Sequence, residues 1–166
     1  MSGLEIERKF LVRKGSDYKS AAFSHSRIRQ GYIPAEGATV RIRTRDDKAY
    51  LTIKGKSDER GLSRYEFEHE ILPEEATALL ALCRGGVIDK TRHLLRVGRH
   101  TFEIDEFHGD NEGLVIAEVE LSSEDEEFEK PDFLGPDVSH ISNFRNAFMS
   151  VHPYAEWREI VPEVYR

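Results

Sequence analysis

Polar and apolar residues alternate with period two in six separate stretches: residues 5–10, 40–45, 51–54, 65–70, 102–105 and 117–121. Successive side chains of a strand point to opposite faces, so each stretch reads as a strand with one apolar and one charged face. Glu5, Glu7 and Lys9 share a face, and Arg41, Arg43 and Arg45 share another, opposite Val40 and Ile42. Thr52 pairs with Lys54, Glu66 with Glu68 and Glu70, Glu103 with Asp105, and Glu118 with Glu120. The short polar stretches at 46–48 and 57–61 predict hairpin connections.

Helical spacing is rarer. Pro73, then Glu74 and Glu75, then Ala76, Leu79, Leu80, Leu82 and Cys83 predict a helix with proline in its first turn, ended by Gly85-Gly86. Cys83 then belongs to the core. A second helix is expected over 141–151, where Ile141, Phe144, Phe148 and Met149 recur at helical spacing. Residues 122–136, with an acidic run and two prolines, read as a surface connection with room for a short helix at its start.

One solvated face on an antiparallel sheet explains any one of these strands. It does not require the signs to be segregated, with carboxylates aligned on some strands and cations on others. A sheet closed into a barrel with its charged faces inward would bring the two sets together in a small lumen. Unpaired charge is costly there, and a bound polyanion with its metal ions relieves both sets.

Composition narrows the choices. At 166 residues the chain fits one domain, 1–166, with 153–166 as an apolar-containing tail that packs on the barrel or on a second subunit. Charged residues make up 33%, above the roughly 25% of an average domain, and the net charge is −7. That balance argues against a general nucleic-acid or membrane-surface binder, so an anionic ligand needs a local basic cluster. The single cysteine allows no internal disulfide, and no run is apolar enough for a leader or a span. A reducing, cytoplasmic setting is expected, and a homodimer is compatible with the tail.

The residue types suggest the chemistry. Carboxylates two apart are hard oxygen ligands for Mg2+ or Mn2+, which keep waters and bridge to phosphate oxygens. Arg41 and Arg43 can hold phosphate through forked hydrogen bonds, with Lys9, Lys54, Lys90 and Arg92 adding positive charge. Lys90, Glu66 and Glu68 are the candidates for a general base. Tyr32 reads as a packing residue; Arg45 and Glu70 as solvated strand ends; Arg64 as rim or solvent; His93, His100 and His108 as loop or surface residues. Arg27 and Arg29 are weak candidates for phosphate contact.

These residues also carry a resemblance. Glu5-Ile6-Glu7-Arg8-Lys9 resembles the N-terminal E-x-E-x-K signature of the CYTH superfamily, the triphosphate tunnel metalloenzymes. The blocks at 30–33, 40–43, 51–55, 66–68, 90–92, 103–107 and 113–120 resemble family blocks in family order, over nearly the whole chain to about Asn146. The resemblance implies an α+β, mainly β fold: a closed eight-stranded antiparallel barrel with a charged interior and helices outside. It implies Glu5, Glu7, Asp105, Glu118 and Glu120 as metal ligands, and Lys9, Arg41, Arg43, Lys54 and Arg92 as triphosphate ligands, with Lys90 beside them. One departure stands out: relatives carry a tyrosine where Phe144 stands, so no phenol is available there, and Arg145 beside it is placed either at one end of the tunnel or on the surface.

The expected activity is metal-dependent hydrolysis of a small triphosphate. Inorganic tripolyphosphate is favoured because the chain resembles the short bacterial tripolyphosphatases. Class IV adenylate cyclases and thiamine or nucleoside triphosphatases share the apparatus and remain alternatives, as does a non-catalytic polyphosphate- or nucleotide-binding module.

Overall fold

The computed structural model describes residues 4–166; Met1 to Gly3, part of the stretch read as free of a leader, lie outside it. Nine strands form one antiparallel sheet. They are β1 (Leu4–Val12), β2 (Ser24–Ile33), β3 (Thr39–Arg45), β4 (Lys48–Lys54), β5 (Ser63–Ile71), β6 (Arg84–Val97), β7 (His100–Phe107), β8 (Val115–Glu120) and β9 (Leu134–Asp137). The order is β5-β4-β3-β2-β6-β7-β8-β1-β9, and β5 also pairs with β1. The first eight strands therefore close on themselves, and β9 is an added edge against Phe10 and Val12. Closure is shortest at the β1–β5 seam, where only Leu4, Ile6 and the residue between them pair, opposite Tyr65, Ser63 and Arg64.

The hairpins follow the turn residues. Arg45 lies opposite Lys48 across a two-residue turn in which Asp46 has φ 52°, a left-handed conformation that a short side chain able to bond its own backbone tolerates. The second expected turn, before β5, is organised by Asp58, whose carboxylate accepts from the Leu62 N–H at 2.8 Å.

Because the charged faces turn inward, the apolar core lies outside the wall. One cluster joins Ile6, Phe10, Phe102, Ile104 and Val119 to Phe128 and Phe133 of the acidic connection. Another joins Ile88, Phe107, Leu114 and Ile116 to Phe144, Met149, Tyr154, Trp157 and Val161, so the C-terminal tail covers the wall of its own barrel. A third seats α2 (Pro73–Leu80) on Ile42 and Ala49 through Ala76, Leu79 and Leu80. Gly31 makes this possible: a Cβ there would stand 2.8 Å from Cys83 Sγ. The outer face of β5 has no such cover, and Tyr65 and Phe67 are exposed.

Three expectations differ from the structure. The helix expected over 141–151 is a 3-10 turn, Ser142–Phe144, followed by the short α3 (Asn146–Met149), because Arg145 between them is extended. The acidic connection holds no helix, and its end supplies β9. The helix at Pro73 stops at Leu80, short of the glycines, which open β6 instead; a separate one-turn α1 (Tyr18–Ala21) follows β1.

Candidate functional site: a charge-polarised lumen

The inward faces line two adjoining cavities of about 410 and about 370 Å3, which share Glu7, Arg41, Arg43, Lys54, Arg92 and Glu118. Toward one mouth the remaining charges are Glu5, Glu66, Glu68, Glu103 and Glu120, with Arg45. Toward the other they are Lys9, Arg64, Lys90 and Arg145, with no further carboxylate. The tunnel thus runs from an acidic end to a basic end. Register produces this: β1 and β8 put Glu7 opposite Glu120, and β4 and β5 put Lys54 opposite Glu66.

At the acidic end, like charges stand opposite one another. Direct cross-strand pairing of like charges is destabilising unless a cation intervenes. Burial, and then the charge of Glu118, push Glu7 up to about 7. Burial raises Glu120 too, with Glu5 and Glu103 adding to it. Glu118 is the exception: burial would raise it, but Lys9, at 3.7 Å, helps to hold it down to about 2. Lys54 Nζ donates to both oxygens of Glu5 at 2.9 Å. Among the described residues no three His, Cys, Asp or Glu side chains form a ready-made metal cage. Glu5, Glu7, Glu118 and Glu120 nonetheless fit a hard divalent cation, since Mg2+-like ions take few carboxylates and complete their shell with water and phosphate.

Asp105 does not fit the ligand role expected of it. It is fully buried, and its oxygens accept from Lys90 Nζ at 2.7 Å and from Arg92 Nε and Nη2 at 2.7 and 2.9 Å. It orients two cations from behind the lumen wall, and despite burial those cations hold its carboxyl far below the usual range. Lys90, 1% exposed, also donates to Asn146 Oδ1 at 3.0 Å. Burial brings it down to about 7, Asp105 opposing and Arg92 and Arg43 assisting.

At the basic end cations outnumber carboxylates, although Lys9, Arg64 and Lys90 each have an acidic partner in Glu118, Glu5 and Asp105. Burial and the neighbouring Arg41 and Arg92 guanidiniums lower Arg43 to about 9, although Gln30 accepts from its Nε at 2.9 Å. Arg41 donates to Thr52 and Glu68 through Nη2, but its Nε is buried with no partner. A buried guanidinium N–H without an acceptor is rare and costly, and this one is placed to donate to an anion bound in the lumen.

Glu66 and Glu68 line the lumen: Glu68 accepts from Thr52 Oγ1 at 2.8 Å, and Glu66 lies 3.7 Å from Lys54. Arg45 reaches the acidic mouth and Arg64 the basic one, whereas Glu70 is exposed and lines neither cavity. Arg27 points outward to Asp89, and Arg29 is exposed on a separate cleft. Thr91 holds His108 at 2.7 Å outside the barrel, and His93 lies edge-on to Tyr18 there. Tyr32, read as packing, lines the lumen, where Gln30 Nε2 donates to its hydroxyl at 2.6 Å. Parity was the signal available for Gln30 and Tyr32, because β2 places them opposite Arg43 and Arg41.

The CYTH domain matches residues 3–145 of the sequence. The chain belongs to the CYTH domain family. It is 45% identical over 159 residues to a protein of Acetivibrio thermocellus named inorganic triphosphatase, covering 95% of this chain and 99% of that one. An inorganic triphosphatase of Nitrosomonas europaea is 32% identical over 152 residues, covering 89% and 97%. A crystal structure of an inorganic triphosphatase superposes with a TM-score of 0.64 at 28% identity, covering 89% of this CYTH chain and 94% of its own.

Proposed function

We propose that this CYTH protein hydrolyses a terminal phosphoanhydride bond of inorganic tripolyphosphate, bound along the tunnel axis, with Mg2+ or Mn2+ held by Glu5, Glu7, Glu118 and Glu120. The observation that carries this reading is the polarised lumen: a run of cations with a buried, unpartnered Arg41 Nε beside carboxylates facing one another. A linear anion in contact with a cation satisfies both halves together, and two relatives covering nearly the whole chain carry the same activity in their names.

Each residue then has a physical task. Lys9, Arg41, Arg43, Lys54 and Arg92 line the lumen as phosphate ligands and neutralise charge developing on phosphoryl oxygens. A divalent ion, when bound, supplies further neutralisation and makes water more acidic. Lys90 is the base favoured by position, because it lies at the junction of Asp105, Asn146 and the cation-lined cavity. Glu68 is already engaged by Thr52 and Arg41, and Glu66 by Lys54, which suits both to positioning.

Phosphate release from tripolyphosphate, ATP and thiamine triphosphate, with Mg2+, Mn2+ or chelator, tests the reading, alongside cyclic AMP formation from ATP. Fast metal-dependent release from tripolyphosphate is expected. Glu5→Gln and Glu120→Gln should each lower turnover by about a hundred-fold or more while circular dichroism stays unchanged. Full turnover in both variants would remove the proposed cation site.

A further inference from the structure

Arg145 stands where the basic half of the lumen ends, on a backbone that leaves it little freedom. Phe144 before it is buried with its ring edge-on to Trp157 at 5.3 Å, and Asn146 after it accepts from Lys90. Its own N–H donates to the Ser142 carbonyl at 3.0 Å, and its carbonyl accepts from the Met149 N–H at 3.0 Å. The side chain lines both the basic cavity and a narrow gap beside the β1–β5 seam. There Nη2 stands 3.5 Å from where a Cβ on Gly61 would lie.

Among the described residues this half-buried guanidinium has no side-chain hydrogen bond or ion pair. Its charged neighbours along the basic cavity include Lys9, Arg64 and Lys90 with Glu7 and Glu118, and Glu5 and Glu7 also line the narrow gap, yet none of these carboxylates pairs with it. A fixed backbone thus holds an unpaired cation on the same cavity as Arg41, whose buried Nε also has no partner, and both are placed to donate to an anion bound there.

We propose that Arg145 binds the phosphoryl group at the basic end of the linear triphosphate and acts as the stop that sets how far the chain enters the tunnel. This rests on the triphosphate reading above and extends it to the substrate's position. Guanidinium presents forked donors matched to phosphate oxygens, which an ammonium does not. Without the stop, substrate binds less tightly, while the groups around the scissile bond are unchanged.

The test compares wild type with Arg145→Gln and Arg145→Lys by steady-state hydrolysis of tripolyphosphate, and by calorimetric titration of tripolyphosphate into chelator-treated protein. Thermal melting checks that each variant folds. Arg145→Gln should raise KM by roughly ten-fold or more with kcat within about three-fold, and Arg145→Lys should recover part of the loss. The metal-free Kd should weaken in the same order, because the proposed contact is with phosphoryl oxygens and does not pass through the cation. A folded Arg145→Gln protein with unchanged KM and Kd overturns the proposal, as does a Lys variant no better than Gln. If wild type binds tripolyphosphate without hydrolysing it, the functional reading fails, while the Kd ratio still decides the role of Arg145.

Discussion

Lys90 is the residue whose environment most directly forecasts a pH dependence. Only its neutral amine can accept a proton, and burial has brought its pKa down to about 7. Below that value the folded protein holds it as ammonium and the base is lost; above it the base is available. As the base, Lys90 should make kcat/KM fall about ten-fold per unit below pH 7 and level off above it. Lys90→Arg keeps the charge at all these values and should lose most activity at every pH. A wild-type profile flat from about pH 5 to about pH 9 would assign the base elsewhere. Alternation made much of this residue scale legible: Glu5, Glu7 and Lys9 lie on one face because the strand period is two, and all line the lumen. For Asp105 the expected ligand role came from the family resemblance, and alternation gave only its face. It shares parity with Glu103, but the β6–β7 register sets Arg92 opposite it and Lys90 within reach. Register is a property of two strands, and one strand's pattern does not contain it.

Among the elements, strands were easier to read than what covers them. The α2 helix was announced by Pro73 and the acids after it, and Glu75 does cap it, accepting from the Leu72 N–H at 2.9 Å. Residues 141–151 carry helical spacing, yet they split into two short turns, because Arg145 is extended between a buried Phe144 and an Asn146 bonded to Lys90. β9, with Gly135 and Pro136 in four residues, carries no strand signal of its own and forms only because β1 offers it an edge. Packing between elements has its own test at Gly31, whose nearest neighbours are Cys83 and Leu80 just beyond and at the end of α2. Gly31→Ala should destabilise by about 1–3 kcal/mol in urea denaturation. Adding Cys83→Ala removes the 2.8 Å sulfur contact and should recover part of that loss. An additive double variant would show that the helix end simply moves aside.

For the molecule as a whole, the polarised lumen means that ligand and stability are linked. Tripolyphosphate in the presence of chelator should raise the melting temperature, since an anion that binds only the folded chain shifts the equilibrium toward it. The gain should shrink as salt is added and screens the cations. An unchanged melting temperature at tripolyphosphate well above its Kd would contradict binding in the lumen. The closed barrel was expected from the family resemblance, with segregated charge compatible with it but also with an open sheet, whereas the direction of its polarity needed the pairing of strands far apart in sequence. Inverting the usual arrangement, with apolar belts outside the wall and charge within, also divides the labour of selection. Replacing facing interior charges by snug apolar pairs would relieve repulsion and give a sturdier barrel that could do no chemistry. In this fold, durability and reactivity are therefore written on opposite sides of the same strands, and residues one apart in sequence answer to different pressures.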